Sequence, residues 1–303
     1  MNLMNKTSEI DKMIYNLYSD KRYGELRALA RLFSPQFLNE LENILNTGCR
    51  NEEFFKDVYD VSLGWIDKIP LASFIDKVKD INGNLIKSKV EIGDFLLVYT
   101  HSQTYKNKGE HVIQTFDKRA IIVQAKISQR RNPNVPIAKM NKNKVSSTSK
   151  ELTLLNKWPS FDLYRNSRSK SIELEKINLN REEACAKFAG YYDKSWDCGE
   201  PDFGSTCNLT LGELFTNLID KKTGCSFNSD NKNINDWSRL INKLMELCGY
   251  YHLPGYIFGK NKSRLINKGI LYYNPFGMLF DFFSKKRFPV LVVNRIFFEG
   301  KFE

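Results

Sequence analysis

Two stretches decide how this chain folds: EIGDFLLVY, Glu91 to Tyr99, and RAIIVQAK, Arg119 to Lys126. Each is short, rich in β-branched and aromatic residues, and apolar at consecutive positions. A half-buried strand alternates apolar and polar residues, whereas a strand covered on both faces reads as a continuous apolar run. Both stretches are therefore expected to be central strands of one sheet. The segment between them, Thr100 to Lys118, is polar and contains lysines, and is expected to be an extended hairpin connection.

Helical patterns lie on either side of this pair. Ile10, Met13, Ile14, Leu17 and Tyr18 recur at helical spacing behind a candidate cap at Ser8. Leu26, Leu29, Ala30 and Phe33 form a second stripe. Ser34 and Pro35 read as an N-cap and first-turn pair for a third helix, which carries Phe37, Leu38, Leu41, Ile44 and Leu45 and closes near Gly48. After the strand pair, Arg130 to Lys150 reads as a basic loop. Glu151 to Lys157 reads as a short helix stopped by Trp158-Pro159, and Ser160 to Arg165 as a further strand. Thr210 and Glu213 fit a capping box for a helix bearing Leu211, Leu214, Phe215, Leu218 and Ile219, with Gly224 closing it. Trp237, Leu240, Ile241, Leu244, Met245 and Cys248 mark another helix, and Phe288 to Phe298 a last strand. The fold class is mixed α/β: N-terminal helices, a central sheet and a partly helical C-terminal region. Residues 1–175 would hold the helices and the core. Residues 176–303 would be mostly helical with a final strand, packed on the same core.

Composition narrows the function classes. Hydrophobic residues make up 42% and charged residues 27% of the 303, an ordinary globular balance that excludes disorder of the whole chain. No apolar run reaches the roughly 18–20 residues of a membrane span. The richest, Pro275 to Phe283, is short and contains Asp281. The polar N-terminus lacks the apolar segment of a secretory signal, so the expectation is a cytoplasmic protein with no membrane partner. The net charge of +11 suits a polyanion, but a chain this rich in Lys, Asn and Ile carries positive charge for compositional reasons too. The six cysteines include no CxxC pair. Cys198, Cys207, Cys225 and His252 form a candidate zinc set, but they lack the close ligand pairs of structural zinc sites, and scattered thiols are the better reading.

Asp94 opens the first strand; Gln124 and Lys126 stand near the end of the second. Residues two apart on a strand share a face, so Gln124 and Lys126 project together, beside Asp94 across the hairpin. Three polar groups on otherwise apolar strands are costly unless paired or used. An Asp carboxylate and a Gln amide oxygen are hard ligands suited to Mg2+, and a neighbouring Lys can stabilise developing negative charge.

This arrangement, an acid opening one strand and Gln124-Ala125-Lys126 closing the next, resembles the PD-(D/E)xK nuclease superfamily. It looks most like the Mrr-like restriction endonuclease branch, in which QxK replaces ExK. The resemblance covers Glu91 to Lys126 and implies that the central sheet is restriction-endonuclease-like. It implies that Asp94, Gln124 and Lys126 are catalytic, that Asp94 and Gln124 bind Mg2+ or Mn2+, and that Lys126 assists the attacking water. It also implies a metal-dependent endonuclease acting on DNA, with a role in defence against foreign DNA. The long spacing from Asp94 to Gln124 departs from the pattern. The family often adds a further acid, for which Glu40, Glu42 and Glu91 are candidates. Lys106, Lys108, Lys118, Arg119, Arg130 and Arg131 are candidate phosphate contacts. The rival reading is a catalytically inactive nuclease-like fold acting as a protein- or nucleic-acid-binding subunit, with a homodimer or a protein partner.

Overall fold

The computed structural model describes residues 3–18, 23–52, 55–107, 110–228, 234–251 and 287–299. Three helices come first: α1 (Leu3–Leu17), α2 (Glu25–Leu32) and α3 (Pro35–Asn46). Ser34 caps α3, its hydroxyl accepting from Phe37 N–H at 3.2 Å. Ser8 caps nothing, because α1 begins five residues before it. The strands β1 (Phe55–Ile66), β2 (Leu71–Phe74), β3 (Val90–Glu91), β4 (Phe95–Asn107) and β5 (Glu110–Ile127) follow, then α4 (Ser147–Lys157), β6 (Phe161–Tyr164), β7 (Leu174–Ile177), β8 (Ala186–Tyr192), β9 (Ser195–Gly199) and β10 (Leu209–Thr210). The chain continues through α5 (Leu211–Ile219), β11 (Cys225–Ser226), α6 (Asp236–Leu247), β12 (Gly249–Tyr251) and β13 (Phe288–Glu299). The protein is mixed α/β, as the sequence implied. The residues from 176 onward, expected to be mostly helical, hold α5 and α6 but also β7 to β13.

The large sheet runs β10-β9-β8-β5-β4-β13-β1-β12, with β11 pairing on β5. A smaller sheet has the order β3-β2-β6-β7. The last strand, β13, lies between β4 and β1, parallel to the first and antiparallel to the second. The guanidinium of Arg295 on β13 forks onto the carboxylate of Asp57 on β1, at 3.0 and 2.7 Å.

Alternation along β4 and β5 separates two cores. Phe95, Leu97, Tyr99, Ile121, Val123 and Ala125 face the N-terminal helices and α5. Leu96, Val98, Ala120 and Ile122 face the other way, toward α4, α6 and the small sheet. Both faces are covered, so the two runs are continuous rather than alternating. On the first side, Asp11 of α1 reaches the start of α5, accepting from Thr210 Oγ1 at 2.7 Å and Gly212 N–H at 2.9 Å. It adds to the capping box that Thr210 and Glu213 form with each other.

Two expectations need correction. Thr100 to Lys118 is not a connection: β4 and β5 continue as paired strands to Asn107 and from Glu110. Residues 113–116 of β5 are exposed, and on β4 the buried Ser102 and Thr104 are polar, so neither half carries the apolar pattern that marks a strand. Arg130 to Lys150 is a loop only as far as Ser146, where a capping box with Ser149 starts α4. Serine favours loops and helix caps alike, and the Ser146-Ser-Thr-Ser149 cluster serves the second role.

Candidate active site

The chain crosses from the small sheet into the large one at Gly93. Ile92 N–H donates to Pro70 in one direction, and Asp94 N–H donates to Val123 at 2.8 Å in the other. A Cβ at position 93 would stand 2.6 Å from Ile122 Cγ2 and 3.2 Å from the Val123 carbonyl oxygen. Only glycine lets the backbone approach β5 this closely. Gly93→Ala is expected to cost about 1–3 kcal/mol of stability, the usual penalty for forcing extra volume into a packed site. Urea unfolding measures it, and a variant as stable as the parent would contradict this account of the crossing.

Asp94 thereby lands beside Gln124. Its Oδ2 accepts from Gln124 Nε2 and, at 2.8 Å, from Ala125 N–H. Asp94 is 3% exposed, Gln124 0% and Lys126 9%. Gln124 and Lys126 continue the face that carries Ala120 and Ile122, as a period of two requires. Gln124 Oε1 is buried and accepts no hydrogen bond.

Lys126 Nζ lies 3.0 Å from Glu151 Oε2. Glu151 stands on the buried face of α4 and is 3% exposed. Burial on its own would push the lysine's pKa down. The negative charges of Asp94, Glu151 and Glu25 outweigh it and hold the ammonium above the ordinary lysine value. Glu25 opens α2, which packs against β5. The sequence reading missed both Glu151 and Glu25. Glu151 did carry a signal: an acid in helical register with Leu154, Leu155 and Trp158 is an acid on an apolar stripe. Nothing local marks Glu25.

The proposed additional acids have other places. Glu40 is half-buried and accepts from Gln36 Nε2 at 2.9 Å. Glu42 accepts from Val61 N–H on β1 at 2.9 Å, and burial raises its pKa. Glu91 sits on β3 opposite Leu71 in the small sheet. None of the three is among the charges that act on Lys126.

The basic candidates divide by position. Arg130 and Arg131 follow β5 directly and so lie at the site's end of the strand. Arg130 bonds Asn134 Oδ1 at 2.8 Å, and Arg131 approaches Asp197 Oδ1 at 3.4 Å. Lys118 and Arg119 were expected near the site, but at about 3.3 Å per residue Arg119 lies about 23 Å back along β5 from Lys126. There it bonds Asp117 and the Gly224 carbonyl. Lys106 is about 40 Å along β4 from Asp94 by the same measure. The Lys106 side chain and all of Lys108 lie outside the described residues, as do His252 and the Pro275 to Phe283 run. Of the weighed zinc ligands, Cys198 and Cys207 are fully buried and Cys225 is half-buried.

The residues fit a hard divalent ion in one respect: a buried carboxylate sits beside a buried amide oxygen with no donor. Mg2+ is commonly held by one or two carboxylates with water completing its shell. Among the described residues, no group of three or more His, Cys, Asp or Glu side chains is placed to hold a metal. No helix among them is long and apolar enough to cross a membrane. No protein-family model, curated protein or solved structure matches the chain.

Proposed function

We propose that the chain is a metal-dependent nuclease that hydrolyses DNA phosphodiester bonds at Asp94, Gln124 and Lys126, with a role in defence against foreign DNA. The observation that carries this reading is the free acceptor on Gln124. A fully buried amide oxygen with no partner is costly, and it stands beside a carboxylate held in place by a main-chain N–H. Asp94 and Gln124 would hold Mg2+ or Mn2+. When bound, such an ion supplies Lewis-acid polarisation of the scissile phosphate.

The chain's own groups then have distinct tasks. Ala125 N–H and Gln124 Nε2 fix the rotamer of the Asp94 carboxylate. Glu151 keeps Lys126 charged and aimed. The Lys126 ammonium would stabilise the negative charge that grows on the phosphate, and a charge positioned in advance acts most strongly in a site that excludes water. Arg130 and Arg131 would contact backbone phosphates beside the site in exchange for their present partners Asn134 and Asp197.

A second reading is favoured by the ion pair itself. Lys126 has Glu151 and Asp94 as counter-charges, so the cluster also serves as a compensated buried network in a non-catalytic binding subunit. Incubation of supercoiled plasmid and of single-stranded DNA with the protein separates the two. The nuclease reading expects cleavage with Mg2+ or Mn2+, none with chelator, and none from Asp94→Asn at unchanged fold. Absence of cleavage across DNA and RNA substrates in either metal, or cleavage that survives Asp94→Asn, would overturn it.

A further inference from the structure

A second chemical cluster lies at the opposite stretch of β5's edge. That edge is shared by two strands end to end: β8 pairs in parallel from Ile122 onward, and β11 pairs antiparallel at Arg119 and Ala120. Cys185 immediately precedes β8, and its carbonyl accepts from Ile122 N–H at 3.0 Å. Cys225 opens β11 directly opposite Ala120. The two cysteines therefore meet where the strands abut, against neighbouring residues of β5.

Their side chains are close enough to act on each other's ionisation, and the Cys225 thiol also donates to the Glu182 carbonyl at 3.8 Å. Both line a cleft of about 260 Å3 whose wall also includes Trp158, Arg181, Lys187 and Glu200. Both cysteines are half-buried, whereas Cys198, Cys207 and Cys248 are buried. We propose that Cys185 and Cys225 are a redox-active dithiol, with Cys185 the attacking thiol, Cys225 the resolving thiol and a hydroperoxide the oxidant.

The chemistry balances. The Cys185 thiolate attacks one peroxide oxygen and the O–O bond breaks. Cys185 becomes a sulfenic acid, and hydroxide leaves and takes up a proton as water. Cys225 then attacks the Cys185 sulfur, the S–O bond breaks, a second water leaves and the S–S bond forms. Two electrons pass from the thiols to the peroxide. The surroundings assign the order of attack. The Cys225 side chain beside it lowers the pKa of Cys185, assisted by Lys187 and Gly224 N–H, while Cys185 and burial raise the pKa of Cys225. A thiol with more thiolate at neutral pH reacts faster with electrophiles. Lys187 is itself paired with Glu200, and Arg119 lies near Cys225.

The test uses the full reduced chain, treated with hydrogen peroxide, quenched by alkylation and mapped by mass spectrometry. The expected product is a single dithiothreitol-reversible link between the Cys185 and Cys225 peptides. Cys225→Ser is expected to stop at a Cys185 sulfenic acid that dimedone traps, and Cys185→Ser to form no link. Before oxidation, Cys185 should alkylate at least about tenfold faster than Cys49, another half-buried thiol, whose pKa burial raises. Free thiols at both positions after peroxide treatment, a link to a different cysteine, or alkylation of Cys185 no faster than of Cys49 would each overturn the proposal. The mapping of the parent protein decides it even where a variant fails to fold.

Discussion

Replacing Lys126 by methionine is expected to cost about 3–5 kcal/mol of stability, the range found when one partner of a buried ion pair is removed. Methionine fills a similar volume, so the loss is of charge rather than packing. It strands two buried carboxylates, Asp94 and Glu151, which the ammonium now compensates. Adding Glu151→Gln to Lys126→Met removes one stranded charge. The double variant should recover at least about 1 kcal/mol, a coupling typical of residues in direct contact. Cleavage is expected to behave differently. Under the nuclease reading, both variants lose about 100-fold or more in rate, because removing a preorganised electrostatic group costs that much. Chemical denaturation alongside a plasmid-nicking assay separates the roles. If the double variant regains stability and also regains cleavage, Lys126 has no part in the chemistry.

The second large effect is expected at Trp158. This side chain is 2% exposed, packs edge-on against Trp237 at 6.1 Å between ring centroids, and ends α4 in the left-handed conformation at φ 47°. Trp158→Ala should cost about 3–5 kcal/mol through lost burial and the cavity left behind. The backbone adds a distinguishing detail. An L-residue pays roughly 1–2 kcal/mol in the left-handed region and glycine pays almost none. Trp158→Gly, although smaller, should therefore be the more stable of the two variants. Equal stabilities, or alanine ahead of glycine, would show that the strained helix end contributes nothing.

The site was legible where it depended on strand periodicity and not where it depended on packing. Gln124 and Lys126 share a face because they are two apart on a strand, and Asp94 joins them because β4 pairs with β5 immediately beyond it. Those are local rules. Glu25 and Glu151 approach Lys126 only through the docking of α2 and α4; the helical register of Glu151 marks it as facing the core, but no spacing says which strand residue it meets. Glu40 and Glu42 looked equivalent to them in sequence, but α3 lies against β1 and spends Glu42 on the Val61 N–H. The same limit applies to the basic residues. Lysines and arginines close in sequence to Asp94 and Lys126 are far away in space when a long ribbon carries them down its length. The strand β1 was not foreseen because Asp57, Asp60 and Ser62 interrupt its apolar pattern. Asp57 and Asp60 are satisfied by Arg295 and Asn294 of β13, which lies over 200 residues away in the chain and is invisible to any local window.

The central claim is that Asp94 and Gln124 form a divalent-metal site, and titration calorimetry with Mn2+ and Mg2+ on the parent and on Asp94→Asn tests it most directly. The substitution keeps the size of the side chain and removes the charge that a hard cation requires. The account predicts saturable binding of one ion by the parent and its loss in a folded Asp94→Asn variant. No binding by the parent, or binding that Asp94→Asn leaves unchanged, would contradict it.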